Sequence, residues 1–277
     1  MANIFRRVGL IPVEFYRNRM LIVRLSYNDF KTRFAGSFFG MFWAFVQPVV
    51  MIGVFWFVFE HGLRVGAAQL ASGIEVPFVL FLVPGLVPWF FFSDALTGGT
   101  RALTGYSFLV KKVVFQISIL PVVKVSAALF VHTFFVLFMV LLFLGMGYFP
   151  GIQVVQVIYY SVALYIFVLG LSYFTSAIVV FFKDLTEIIA IVLQVGLWMT
   201  PILWPLEGVI SNPTLLFLFR LNPVYYVVSG YRGALIEGAW FWERPLLSLC
   251  FWLIVLMVGL VGGSTFNRLK GDFADVL

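Results

Sequence analysis

The stretch VSAALFVHTFFVLFMVLLFLGMGYF, residues 125–149, decides the fold of this chain because it contains no charged side chain. A helix that crosses a membrane needs about 20 mostly apolar residues, since the hydrocarbon layer is about 30 Å thick and each residue rises about 1.5 Å. Hydrophobic residues make up 62% of the whole chain and charged residues 11%, too few to cover a soluble domain of this length. The composition therefore predicts a membrane protein.

Five further segments are similarly apolar, so we predict an all-α membrane protein with six transmembrane helices in one domain, residues 1–277. The predicted spans are residues 34–59, 76–97, 117–147, 153–182, 186–206 and 245–267. Most Lys and Arg residues lie on one side of these spans, and the other side has only Arg64, Arg220, Arg232 and Arg244. Basic residues concentrate on the cytoplasmic side, so both termini are expected there. The net charge of +6 is thereby explained by topology, and no nucleic-acid partner is expected.

Two segments do not fit a plain series of six helices. Residues 13–33 carry charges at intervals that exclude a span but suit an amphipathic helix at the membrane interface. Residues 207–237 are too apolar for an ordinary loop and are interrupted by Arg220, Asn222 and Pro223. Two short re-entrant helices between the fifth and sixth spans would fit this pattern, provided that their backbone polar groups are buried against protein or water.

Several short motifs occur in a characteristic order along the chain. They are DFKTR (29–33) followed by Gln47 and Pro48, PGL (84–86) with WFF (89–91), FLVKKV (108–113) with ILP (119–121), TPI (200–202), NP (222–223) and YR (231–232). The ordered set resembles the permease (transmembrane) subunits of type-2 ABC exporters, in particular the family that exports O-antigen, teichoic acid and related polysaccharides. The resemblance extends over nearly the whole chain.

The source of energy follows partly from the sequence and partly from this resemblance. The chain has no Gly-x-x-x-x-Gly-Lys-Ser/Thr motif, which excludes ATP binding by a P-loop. The resemblance implies a permease homodimer on two copies of an ABC ATPase subunit, which binds ATP and Mg. This chain is then not an enzyme and holds no cofactor or metal itself.

In that family a short cytoplasmic coupling helix docks on the ATPase, and here it maps to residues 105–114. The docking candidates are Tyr106, Phe108, Leu109, Lys111 and Lys112. The mixture of apolar and basic side chains suits a small docking surface with a polar rim. The alternative is a basic loop that only obeys the charge rule for cytoplasmic segments.

The resemblance also implies the cargo, a polyprenyl-pyrophosphate-linked glycan that crosses the bacterial inner (plasma) membrane through a canal formed by the homodimer. Aromatic rings can contact the flat C–H faces of sugars, and 19% of the residues are aromatic. The candidate canal aromatics are Phe42, Trp43, Trp89, Phe90, Trp198 and Tyr225. Rings near the ends of spans also form belts at the membrane interface, so both uses stay open.

A phosphate group on the cargo needs a basic partner at the cytoplasmic entrance. Arg24, Lys31 and Arg33 lie where the interface helix meets the first predicted span. The planar fork of arginine suits phosphate oxygens. The alternative is attraction of these residues to anionic membrane lipid, worth about 1 kcal/mol for each basic residue.

Three other functions remain open from the sequence. An ABC exporter of small molecules or drugs is the main alternative. An intramembrane enzyme normally needs a cluster of His, Asp, Glu or Cys, but the chain has only His61 and His132 as histidines. An ion-coupled transporter is expected to hold ionisable residues near the midplane, whereas Asp94 and Lys124 lie near the inner ends of their predicted spans.

Overall fold

The computed structural model describes residues 17–33, 35–70, 73–111 and 116–277. The helices are α1 (Arg19–Thr32), α2 (Trp43–Trp56), α3 (Phe78–Thr100), α4 (Ala102–Gly105), α5 (Ser107–Val110), α6 (Leu120–Gly145), α7 (Gln156–Val179), α8 (Leu185–Met199), α9 (Leu206–Val209), α10 (Pro213–Arg220), α11 (Pro223–Arg232), α12 (Pro245–Leu269) and α13 (Phe273–Val276). Short 3₁₀ segments lie at Gly40–Phe42, Ile117–Ile119, Ile152–Val155 and Phe241–Glu243, and π-helical turns at Phe57–Gly62 and Gly233–Glu237. Two strands of two residues each, β1 (Ala68–Gln69) and β2 (Glu75–Val76), pair antiparallel. The predicted all-α class is confirmed.

Among the described residues, five helical stretches are long and apolar enough to cross a membrane. They run over residues 40–62, 78–100, 117–145, 152–179 and 245–269. The chain is therefore a multi-pass membrane protein. Helix α8 is also apolar, but its 15 residues rise only about 22 Å. It ends earlier than the predicted span 186–206 because Thr200, which precedes Pro201, adopts an extended backbone, as residues before proline usually do.

Helix α3 forms the centre of the bundle. It packs against α2, α6, α7, α8 and α11, and 78% of its apolar stretch is buried, compared with 17% for residues 40–62 and 22% for α12. Two prolines within it, Pro84 and Pro88, each remove one backbone N–H donor. Residues 40–62 and α12, by contrast, are mostly unburied. They present apolar faces away from the protein core, as expected for contact with lipid.

Helix α1 packs against α6 rather than standing apart from the bundle. Its buried residues are Ile22, Ser26, Asp29 and Phe30, a spacing that places them on one face of a helix. The Phe30 and Phe130 rings lie 5.6 Å apart. Of the predicted interface helix over 13–33, residues 13–16 lie outside the described part of the chain, and the position of α1 at the membrane interface stays a prediction.

The segment 207–237 contains two short helices that both begin with an Asn-Pro pair. The Oδ1 atom of Asn212 accepts hydrogen bonds from the backbone N–H groups of Thr214 and Leu215 at 2.9 and 3.3 Å, and Asn222 Oδ1 accepts from the N–H of Val224 at 3.0 Å. An asparagine N-cap followed by proline at the first helical position is a strong helix start. Helices α10 and α11 therefore form where the sequence predicted two short helices, and their depth in the membrane stays a prediction.

Candidate functional site

A cavity of about 550 Å³ lies between α2, α3, α6 and α8. Its wall consists of Arg33, Ala44, Gln47, Pro48, Met51, Val87, Trp89, Phe90, Phe91, Ser93, Asp94, Thr97, Ala128, Val131, His132, Phe135, Ala190, Leu193, Gln194 and Leu197. Aromatic rings, amides, hydroxyls and one ion pair thus face the same space. Such a wall suits an amphiphilic ligand that has both apolar faces and polar groups.

Two of the six aromatic residues predicted to line a canal, Trp89 and Phe90, are part of this wall. The Trp89 ring also fills the contact between α3 and α8, because a Cβ atom at Gly196 would lie 2.8 Å from Trp89 Cη2. Glycine is therefore required at position 196 for this close approach. Trp89 is buried and Phe90 is partly buried. The Trp89 ring at the cavity is therefore held in place by its packing against α8.

Three further canal candidates lie on exposed surfaces of the chain. Phe42 and Trp43 flank the start of α2 and contact Phe39, with ring centroids 6.3 and 5.8 Å away. Trp198 lies near the end of α8, with 54% of its surface exposed, and its ring packs edge-on against Phe55 at 6.3 Å. A single copy of the chain does not bring these three rings to the cavity wall.

The sixth candidate, Tyr225, is buried in α11. It lines a separate, much smaller cavity together with Tyr160, Trp240 and Arg244. The structure therefore does not bring Tyr225 together with Trp89 and Phe90.

An ion pair between Arg33 and Asp94 forms one part of the cavity wall. The Nη1 atom of Arg33 lies 2.8 Å from each carboxylate oxygen of Asp94, and the side chains are 28% and 42% exposed. The other two predicted phosphate ligands, Arg24 and Lys31, are exposed on α1 and are not part of the wall. Sequence reasoning missed the pairing, although Arg33 and Asp94 are both placed near the inner ends of neighbouring predicted spans.

A second charged centre joins three elements at Asp29. The Oδ1 atom of this buried carboxylate accepts hydrogen bonds from Lys124 Nζ at 2.5 Å and from Tyr106 Oη at 2.7 Å. The Lys124 ammonium also lies 4.9 Å from the centre of the Tyr106 ring. Burial, and secondly the contact with Asp29, raises the pKa of the Tyr106 hydroxyl, which keeps it a neutral donor. The centre connects α1, the chain between α4 and α5, and α6.

The predicted docking residues therefore divide into two groups. Tyr106 points toward Asp29, and Leu109 is partly buried. Phe108, with 60% of its surface exposed, and Lys111 face outward, whereas Lys112 lies outside the described residues. Of the described candidates, Phe108 and Lys111 are the two that can directly contact another protein.

His132 belongs to a cluster of neutral polar groups. Its Nε2 atom lies 3.1 Å from Ser161 Oγ and 3.1 Å from Tyr231 Oη, and these two hydroxyl oxygens are 2.6 Å apart. This arrangement is that of a hydrogen-bonded core histidine beside the cavity. Over residues 17–33, 35–70, 73–111 and 116–277, no group of three His, Cys, Asp or Glu residues could hold a metal ion.

Arg232, which the charge pattern places on the outer side, is buried at the end of α11 with 6% of its surface exposed. Its Nε, Nη1 and Nη2 atoms donate to the carbonyls of Phe81, Pro201 and Ile202 at 3.1, 2.8 and 2.6 Å. The guanidinium carbon lies 3.6 Å from the centre of the Phe81 ring. Two of these carbonyls lie just after the end of α8, where the backbone is no longer helical, so Arg232 satisfies buried backbone acceptors in the chain that follows the short helix.

The cavity, its ion pair and the buried arginine all lie in the part of the chain that comparison with known proteins identifies. Residues 20–236 match the ABC-2 type transporter family. The chain belongs to this family. Every residue of the cavity wall, the Asp29 centre and Arg232 lie within the matched region of this ABC-2 transporter.

Individual relatives match the ABC-2 transporter over nearly its whole length. An O-antigen export system permease protein of Myxococcus xanthus is 28% identical over 272 residues, which cover 95% of this chain and 97% of the relative. A Klebsiella pneumoniae protein of the same description is 26% identical over 264 residues, 93% of this chain and 95% of the relative. The polysialic acid transport protein KpsM of Escherichia coli is 21% identical over 253 residues, 87% of this chain and 92% of the relative.

Proposed function

We propose that this chain is the permease subunit of an ATP-driven exporter that moves a lipid-linked polysaccharide across the bacterial inner membrane. The observation that carries the proposal is the similarity to permeases named for O-antigen export over 95% of the chain. The cargo is a glycan on a polyprenyl diphosphate, and the energy comes from two ATPase subunits that bind ATP and Mg²⁺.

The cavity provides groups suited to such a cargo. Trp89 and Phe90 offer ring faces for the C–H surfaces of sugars, and Gln47 and Gln194 offer amides for sugar hydroxyls. Arg33 offers a guanidinium for a phosphate group. This combination supports a passage for a polymer that is polar at its edges and apolar on its faces.

A homodimer would complete the canal. Helices α2 and α8 border the cavity and also have exposed apolar side chains, among them Val50, Val54, Ile191 and Val195. A second copy packed against these faces would shield them and enclose the cavity from the open side. In the dimer Phe42, Trp43 and Trp198 are then candidates for the canal wall, since each projects from one of these exposed surfaces.

We infer a six-span arrangement in which α8 is the short fifth span and both termini are cytoplasmic. The distribution of Lys and Arg supports this orientation. Helices α10 and α11 are then re-entrant from the outer side, and residues 105–114 form the coupling segment. Phe108 and Lys111 supply the contact with the ATPase, and Tyr106 holds the segment against α1 through Asp29.

A substitution at the exposed end of the coupling segment tests this function. Phe108→Asp is expected to abolish co-purification with the ATPase and to make lipid-linked glycan accumulate inside cells, because a charge replaces the apolar docking contact. Phe149→Asp is the matched control. Phe149 is 79% exposed and follows the C-terminal end of α6, whereas the coupling segment precedes the N-terminal end of that helix. It should insert, bind the ATPase and export the glycan normally.

Other results would contradict the proposal. Export of the glycan by cells that lack the ATPase would remove the ATP-driven mechanism. A deletion strain with normal surface glycan but increased sensitivity to small toxic molecules would instead identify an exporter of small molecules.

A further inference from the structure

We propose that Asp94 is an internal competitor for the phosphate site at Arg33. In the absence of cargo the Asp94 carboxylate pairs with the Arg33 guanidinium. The diphosphate of the lipid-linked cargo then displaces the carboxylate and binds the guanidinium in its place. The inference rests on the proposed function and adds to it a control on the same site. Asp94 then prevents weaker anions from occupying the cavity.

Among the described residues, Asp94 pairs with only one nitrogen of the Arg33 guanidinium, which leaves the other side of the group for a ligand. Both Asp94 oxygens contact the same nitrogen, Arg33 Nη1, at 2.8 Å. The strongest arginine–anion contacts use two nitrogens in parallel, and this pair does not. The Nη2 atom lies beside Gly98, where even an added Cβ atom would remain 3.8 Å away. A phosphate group can therefore approach the second nitrogen without a clash with a side chain of α3 at that position.

The exposure of the two side chains makes the exchange favourable. Arg33 and Asp94 are 28% and 42% exposed, and ion pairs at exposed positions are weak. In the proposed orientation the pair lies at the cytoplasmic end of α3, where water can hydrate a displaced Asp94 carboxylate. The diphosphate of the cargo carries two negative charges, one on each phosphate, and more acceptor oxygens than a carboxylate, so it gains more from the same guanidinium. By contrast, Asp29 is 7% exposed and pairs with Lys124, and it cannot be released at so little cost.

A positioning role and a competing role for Asp94 predict opposite results. If the carboxylate only oriented Arg33, its removal would weaken phosphate binding. If it competes with phosphate, its removal strengthens binding as long as Arg33 is present. The sign of the change therefore separates the two roles.

The test uses the purified complex of the chain with its ATPase and measures binding of polyprenyl diphosphate without a glycan, by thermophoresis in detergent. Asp94→Asn is expected to bind roughly two- to fivefold more tightly than the wild type. Arg33→Gln is expected to bind roughly tenfold more weakly. The double variant should match Arg33→Gln, because competition requires the guanidinium. Glu187→Gln, which neutralises an exposed carboxylate in the first turn of α8, is the control and should leave affinity unchanged.

Two further ligands identify what the site recognises. Inorganic pyrophosphate that shows the same gain with Asp94→Asn indicates recognition of phosphate itself, whereas a gain confined to polyprenyl diphosphate indicates recognition of the lipid headgroup; both support the competition. The same gain with uncharged polyprenol would overturn it. Equal or weaker binding of polyprenyl diphosphate to Asp94→Asn would also overturn it.

Further variants and outcomes distinguish the competition by Asp94 from a folding defect and from a failure of the proposed function. Asp94→Ser provides a second neutral variant if Asp94→Asn fails to fold, and Asp94→Glu should bind as the wild type does because it keeps the charge. Normal glycan export by the wild type together with unchanged affinity in Asp94→Asn would reject the competition alone. Tighter binding by Asp94→Asn in a chain that exports no glycan would reject the proposed function alone.

Discussion

Arg232 and Asp29 are both buried charges, and their neighbours satisfy them in different ways. Arg232 uses all three of its guanidinium nitrogens to bind backbone carbonyls. Asp29 uses one carboxylate oxygen, which accepts from the side chains of Lys124 and Tyr106, and its second oxygen has no partner in the part of the chain that the structure describes. The arginine is held by backbone carbonyl groups, whereas the carboxylate is held by side chains from two separate elements.

This difference separates a rigid centre from an adjustable one. The Phe81, Pro201 and Ile202 carbonyls move only if α3 or the chain after α8 moves. Lys124 and Tyr106 can change rotamer while α6 and the coupling segment keep their backbone. The Arg232 centre therefore fixes the packing of α3, α8 and α11, and the Asp29 centre connects α1 to the segment that we propose meets the ATPase.

The largest expected effect is at the rigid centre. Arg232→Met should destabilise the protein by about 3–5 kcal/mol, because it leaves buried carbonyls without donors. The measurement is the thermal unfolding midpoint of the purified chain in detergent. Arg268→Met is the matched control, since Arg268 is exposed in the last turn of α12, and it should have little effect. A similar loss in both variants would show that Arg232 is no more important than an exposed arginine.

A smaller effect is expected at the adjustable centre. Lys124→Met should cost about 2–3 kcal/mol, because Asp29 keeps the hydrogen bond from Tyr106 after its counter-ion is lost. Adding Asp29→Asn to Lys124→Met should recover part of this loss, since no buried charge then remains. A double-mutant cycle on unfolding free energies measures the coupling, and strictly additive losses would mean that the two side chains do not interact.

The smallest effect refines the description of the Arg232 centre. A Cβ atom at Gly85 would lie 2.9 Å from Arg232 Nη2 and 3.1 Å from Ile202 Cγ2, so Gly85→Ala should cost about 1–2 kcal/mol through overpacking. Gly98→Ala, on the same helix, introduces a contact of 3.8 Å with Arg33 Nη2 and should be neutral or slightly stabilising. Equal unfolding midpoints for the two variants would indicate that the guanidinium can shift without cost.

The apolar helices could be predicted from the sequence because span length and charge placement are properties of the chain itself. The family, too, is visible in the order of short motifs such as 29–33 and 200–202. The end of α8 at Met199 was predicted too late because hydropathy continues through Ile202 and Leu203, whereas the backbone already turns at Thr200.

The polar contacts were not predictable in the same way. A single sequence shows that Arg33, Asp94 and Lys124 lie near the ends of spans, but not which helix faces which. The charge pattern placed Arg232 on the outer side of the membrane, and only the carbonyls after α8 explain its burial. Trp89 and Trp198 have similar sequence surroundings, yet one is packed against Gly196 and the other is exposed.

The shortness of α8 links this protein to the lipid around it. In the six-span arrangement proposed above, its 15 residues rise about 22 Å, less than the hydrocarbon thickness of about 30 Å. Wherever the proposed dimer leaves α8 in contact with lipid, the tails beside it must then shorten or tilt, at a cost of a fraction of a kcal/mol for each ångström of mismatch. Bilayers built from shorter acyl chains therefore favour the folded protein, and the barrier beside the export path is thinner than the surrounding membrane.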